Sequence, residues 1–174
     1  MANRRVLILG CSGSGKSTLA CRLGEVTGLP VIHLDAEHWK PGWVETPDAD
    51  FVDRIKQLAA GERWIMDGYH RVGLDLRLRA ADAIIFLDVP RHRCLWRVTK
   101  RWLRYRGRTR PDMGPHCPEK IDLEFIRYIW TFNRFVRPDV MDAIRRSGDG
   151  KPLHLLRSKA DVERFLALAA TDRI

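Results

Sequence analysis

Residues 9–18 read LGCSGSGKST and follow directly on the apolar run RVLIL of residues 5–9. A β-branched and aliphatic run that ends in glycines predicts a buried strand, and a helix is predicted from Lys16 to about Val26. Gly10, Gly15, Lys16 and Ser17 satisfy G-x-x-x-x-G-K-[ST], in the strand-to-helix context that this pattern needs. Glycines let the backbone curl so that successive N–H groups point inward, and the helix N-terminus adds its partial positive charge. The implied ligand is a chain of phosphates.

The cradle would be Gly10, Ser12, Gly13, Ser14, Gly15, Lys16, Ser17 and Thr18. Lys16 is expected to reach the β- and γ-phosphates of ATP, Ser17 to hold Mg²⁺ through its hydroxyl, and Thr18 to lie by the α-phosphate. A dinucleotide-binding loop is the rival reading, because Asp35 lies twenty residues beyond Gly15, where a ribose-binding acid is expected. Thr18 occupies the place of the third glycine in that motif, and Lys16 would have no task there.

The remaining pattern extends the same unit. PVIHLD (30–35), RWIMD (63–67) and AIIFLD (83–88) predict strands, and helices are predicted over 48–60, 74–80 and from about His92 to Tyr105. Residues 118–146 are mostly helical in pattern, with a kink expected near Pro138, and 152–170 supply a last strand and helix. Continuous apolar strands alternating with helices imply a parallel sheet covered on both faces. The fold class expected is therefore α/β, a five-stranded P-loop NTPase of the nucleoside monophosphate kinase type, with a short lid at about 104–118.

A chain of 174 residues suits one domain. No apolar run approaches the ~20 residues that span a bilayer, so no membrane partner is expected. Four scattered cysteines with no CxxC pair argue against a zinc knuckle and fit a reducing cytoplasm. Net charge is +9, and residues 91–110 hold nine Lys or Arg and no acid. An anionic partner is implied, either a triphosphate or a nucleic acid.

WIMDGYHR (64–71) followed by IIFLDVPRHRCLWRVTKR (84–101) resembles the adenylate kinase and nucleoside monophosphate kinase group. With HLDAEHWKPGW (33–43), RGRTRPDM (106–113) and CPEKIDLEFIRYIWTF (117–132), nearly the whole chain resembles the adenylate-kinase-like proteins labelled DNA topology modulation proteins. The resemblance implies that Asp67 orients Mg²⁺-bound water and that Arg71 contacts the acceptor. It also implies that Arg97 and Arg101 serve the adenine base and the phosphates. Arg106, Arg108 and Arg110 resemble lid residues that close over the transferring phosphoryl group.

Asp35 departs from adenylate kinase. Expected at the carboxyl end of the second strand, where open α/β sheets bind ligands, it would repel an acceptor phosphate yet accept a hydrogen bond from a hydroxyl. The alternative makes it the cap of the next turn. His33 is expected on the other strand face, packed in the core. The loop from Trp39 to Trp43 could wall the site or pack on a neighbouring helix. The function expected is ATP-dependent phosphoryl transfer to a small molecule; the alternative is a nucleic-acid-binding or regulatory NTPase. Acceptor identity and oligomeric state are open at this level.

Overall fold

The computed structural model describes residues 4–148 and 150–171. Five strands, β1 (Arg5–Gly10), β2 (Val31–His33), β5 (Trp64–Asp67), β6 (Ala83–Leu87) and β7 (Leu153–Leu156), form one sheet in the order β2-β5-β1-β6-β7. All its neighbours pair in parallel. Two-residue strands β3 (Trp39–Lys40) and β4 (Val44–Glu45) form a separate antiparallel hairpin.

Both sheet faces are covered, which is why β1, β5 and β6 are apolar at nearly every position. Helices α1 (Lys16–Thr27) and α7 (Lys159–Ala170) pack together on one side. On the other side α3 (Asp48–Ala59), α4 (Leu74–Ala80), α6 (Leu123–Ser147) and α5 (Arg91–Tyr105) pack in sequence, α3 on α4, α4 on α6 and α6 on α5. Leu7, Ile8, Leu9, Ile84, Ile85 and Phe86 fill the centre, with Leu23 of α1 and Phe51 and Ile55 of α3 against them. Each such side chain contributes about 1.5–3 kcal/mol by leaving water. Phe51 and Ile55 fall on one face of α3, so the helix docks along that stripe.

Register decides what meets at the carboxyl ends. Ile8 of β1 is level with Asp67 of β5, and Asp67 is level with His33 of β2. The loops after β1, β2 and β5 therefore emerge side by side.

Two local expectations are corrected. The second strand stops at His33, because Leu34 turns fully buried into the short helix α2 (Leu34–His38), so Asp35 sits on that helix and not on the strand. The long helix starts at Leu123 instead of near Pro118: the Asp122 side chain accepts from the Phe125 N–H and caps it there. Pro138 lies inside this helix, which runs through it without interruption. Residues 118 and 119 belong instead to the preceding segment, bridged by Thr109↔Pro118 and Arg106↔Glu119.

Candidate active site

The loop between β1 and α1 curls as its glycines require. Gly13 has φ 79°, and a Cβ there would come within 2.5 Å of the Cys94 carbonyl oxygen, so the loop lies flat on α5 only with glycine at this place. Gly15, at φ 103°, precedes α1, whose first turn has no side-chain cap and no acid. The N–H groups of that first turn have no partner within the helix, and such a helix start favours an anion. Ser14 Oγ is buried there with no hydrogen-bond partner among the described residues, Ser12 is half-buried and Thr18 is exposed. Lys16 Nζ lies across the loop and donates to the Cys11 carbonyl at 3.0 Å. Arg97 reaches from α5 to donate Nη1–H to the Ser14 carbonyl at 2.7 Å.

Ser17 and Asp67 meet beside the loop: the Ser17 hydroxyl donates to Asp67 Oδ2 at 2.9 Å. A hydroxyl and a nearly buried carboxylate are the hard oxygen donors that Mg²⁺ takes, so these residues fit the ion. His33 Nδ1 contacts Asp67 Oδ1 from the next strand. The expectation of a core histidine fails here, since the ring turns to the carboxylate and stays part-exposed. The Asp67 hydrogen bond raises the His33 pKa, with burial opposing it.

Across the mouth, Asp35 Oδ1 accepts from His70 Nε2 at 3.0 Å. Burial pushes the Asp35 carboxyl up, but the His70 hydrogen bond and charge, with Lys16 and Arg110, hold it down at about 2. Lys16, Asp35, His70 and Arg110 thus share one electrostatic neighbourhood. His70 packs edge-on against Phe51 and tilted against His38, with ring centroids 5.2 and 4.4 Å away.

The basic stretch finds its acids outside itself. Glu119, nearly fully buried, takes Arg101 Nη2 on Oε1 at 2.7 Å and Arg110 Nε on Oε2 at 2.6 Å. Arg110 Nη1 also donates to Asp112 at 2.8 Å. Burial lowers the pKa of Arg101, helped by Arg110 and opposed by Glu119. Arg106 and Arg108 face outward, the first over the Trp102 ring at 5.3 Å. Arg71 is exposed and lines a cleft between α4 and α6 with Tyr69, Asp139 and Asp142; the structure does not bring it to Lys16 and Asp35.

The tryptophan loop is the β3–β4 hairpin, with Trp39 and Trp43 edge to face at 5.3 Å. It is fastened to the segment before α6. Trp43 Nε1–H donates to the Pro118 carbonyl at 3.0 Å, Gly42 N–H to the His116 carbonyl at 3.0 Å, and Cys117 Sγ contacts the Lys40 carbonyl at 3.4 Å.

Sequence reasoning passed over His70, Glu119 and Arg77. Fully buried Arg77 donates to the carbonyls of Gly68 (3.1 Å), His70 (2.5 Å) and Gly73 (3.2 Å), and burial pushes its pKa down to about 10. It holds the loop that carries His70. His70 lies in the loop after Asp67, beside the loop after His33, so parallel pairing of those two strands was the available signal.

No protein-family model matches the chain. It is 29% identical over 159 residues to an adenylate kinase from Gloeobacter violaceus, an alignment that covers 70% of this chain and 72% of that one. Among solved structures it is similar to shikimate kinase from Acinetobacter baumannii in complex with shikimate (TM-score 0.57, 17% identity, 98% and 95% of the two chains). It is also similar to a gluconokinase from Sinorhizobium meliloti 1021 (TM-score 0.54, 16% identity, 98% and 91%). Deoxyadenosine kinase from M. mycoides with bound dATP matches at TM-score 0.54 and 15% identity, over 96% and 97%. These likenesses show the fold of a P-loop NTPase, a five-stranded parallel sheet with helices on both faces.

Proposed function

We propose that this chain is an ATP-dependent kinase that transfers a phosphoryl group to a hydroxyl of a small molecule. The observation that carries the reading is Asp35 held ionised by the His70 hydrogen bond and the charges of Lys16 and Arg110, with Ser17 of the phosphate loop bonded to Asp67. Adenylate kinase, as a sequence relative, and kinases of shikimate, gluconate and deoxyadenosine, as fold relatives, are compatible with phosphoryl transfer to different acceptors.

Mg·ATP, when bound, supplies the phosphoryl group and neutralises its developing charge. Lys16 leaves the Cys11 carbonyl for phosphate oxygens, and the loop N–H groups, with Ser12, Ser14 and Thr18 around them, hold the chain. Arg97, pinned on Ser14, lies where a base or α-phosphate would rest. Ser17 and Asp67 are the residues that would hold Mg²⁺. Arg110 and Arg101 supply positive charge from the lid side, while Arg106 and Arg108 join only if the segment rotates inward.

Asp35 selects the acceptor. A monophosphate would need guanidinium groups at this end, yet Arg77 is committed to backbone carbonyls, and Arg101 and Arg110 to Glu119. A carboxyl held at about 2 is ionised throughout the working range and is a weak base. Its contribution is orientation: it accepts the hydroxyl hydrogen bond and aims the oxygen at phosphorus.

ADP release from Mg·ATP tests this with glucose, gluconate, shikimate, deoxyadenosine and AMP as acceptors. Turnover with a hydroxyl compound and not with AMP is expected; turnover with AMP alone overturns the hydroxyl reading. A second reading, a nucleic-acid-binding NTPase, draws on exposed Trp96 under Lys100 and Trp130 under Arg91, at 4.4 and 4.1 Å. Single-stranded DNA affinity that survives rising salt would favour it, since contact with phosphates alone weakens steeply.

A further inference from the structure

Asp35 is anchored at one oxygen and open at the other. Its Oδ1 accepts from His70, no hydrogen bond among the described residues reaches Oδ2, and the side chain is 44% exposed. An ionised carboxylate only accepts hydrogen bonds, so His70 Nε2 carries the proton. The ring that donates is itself fixed. His38 and Phe51 pack against it, and its backbone carbonyl receives Arg77 Nη2. Arg77 has no carboxylate partner among its hydrogen bonds: a fully buried cation is used to fasten three backbone carbonyls of the loop bearing His70.

A charged group is costly to bury without a task, and a rigid loop is what a positioning hydrogen bond needs. We propose that His70 is the positioning residue of the acceptor site, locking Oδ1 of Asp35 so that Oδ2 meets the acceptor hydroxyl in one orientation. The inference rests on the hydroxyl-acceptor reading for its rate consequences and on geometry alone for the bond itself. Other charges also face Asp35: Lys16 from α1 and Arg110 from the lid segment. Arg77 of α4, Tyr128 of α6, His33 of β2 and His38 of α2 feel its charge in turn. Lys16 and Arg110 remain when His70 is replaced, so the carboxyl moves back only part of the way.

The test compares the full chain with His70→Phe, which keeps a ring between His38 and Phe51 but has no donor, and His70→Gln, whose amide can still donate. The Asp35 carboxyl carbon, ¹³C-labelled and assigned through Asp35→Asn, is followed by NMR from pH 7 to pH 3. The wild-type signal stays flat as the ionised form, and His70→Phe develops a titration step inside that range. With whichever of glucose, gluconate, shikimate or deoxyadenosine is turned over, His70→Phe lowers kcat by up to about 10²-fold at unchanged KM for ATP. His70→Gln recovers most of that loss. A flat carboxyl signal in His70→Phe, or equal kcat in the Phe and Gln variants, overturns the proposal. If His70→Phe does not fold, His70→Met carries the same comparison. Should the wild type use none of the hydroxyl probes, the acceptor reading falls, and the carboxyl titration alone decides whether His70 holds Asp35.

Discussion

Arg110 Nε and Glu119 Oε2 stand 2.6 Å apart, with only 10% and 2% of their side chains exposed. Together with Arg101 on the other oxygen, they make one buried carboxylate the hub of the segment between α5 and α6. Removing one member of such a group leaves charge stranded, which costs more than the group itself gives. Glu119→Ala is expected to destabilise by up to about 3 kcal/mol, the lower end for buried pairs, because Arg101 is a quarter exposed. Urea unfolding measures the loss. Hydrogen exchange over residues 106–119 should rise with it, and unchanged exchange there would count against the hub.

Lys16→Ala should abolish phosphoryl transfer and leave the fold intact. The side chain makes one hydrogen bond in the described structure, to Cys11, and its task lies with phosphate charge. Circular dichroism and ADP release together check this. Wild-type turnover in a folded variant would end the phosphate-loop assignment.

Mg·ATP is expected to raise Tm by linkage, and Ser17→Ala should shrink that gain because the Asp67 carboxylate loses its companion donor. Thermal scans with ATP in the presence of Mg²⁺ or EDTA make the comparison. An identical shift under both conditions would take Ser17 out of the metal site.

Asp35→Asn keeps shape and loses charge. Transfer to a hydroxyl acceptor should fall by about 10²-fold, the loss that a misplaced acceptor costs, with ATP binding unchanged, while any transfer to a monophosphate should be unharmed, as a like charge leaves its path. Steady-state rates on both acceptor types decide the matter. A variant that retains full hydroxyl transfer would reduce Asp35 to a turn residue.

His154 gives the fold an acid-side weakness. Burial lowers its pKa, its Nε2 has no partner among the described residues, and its ring packs edge to face with Phe165 at 4.9 Å. The unfolded chain protonates near the ordinary imidazole value while the folded ring stays neutral, so stability falls as pH drops through about 6.5. The fall ends once the pH is below the folded ring's own lower value. Urea midpoints between pH 7.5 and 5 should show the wild type losing stability relative to His154→Phe as the pH falls. Parallel curves would show that His154 does not titrate.

The strand-loop-helix unit could be read from LGCSGSGKST because local chemistry dictates it: glycines where φ is positive, a lysine and a serine where phosphate and metal would sit. The parallel sheet followed from strand composition. Pairings across the chain were out of reach. Asp35 and His70 are thirty-five residues apart and meet only because β2 and β5 are neighbours. Glu119 is eighteen residues past Arg101, beyond the acid-free stretch, and nothing in its spacing marks a buried hub. His33 was misplaced because strand alternation says which face a side chain takes, not which loop residue waits there. Arg71 was carried over by resemblance, and its exposed place by the α4–α6 cleft is a side-chain direction that no sequence pattern dictates.

The hairpin's attachment to the lid segment makes two walls of the site a single door. While Trp43 keeps its indole N–H on Pro118 the hairpin and residues 106–119 can move only together, so any motion that separates them must hydrate that indole. The protein carries its own optical reporter of that separation in the emission of Trp43.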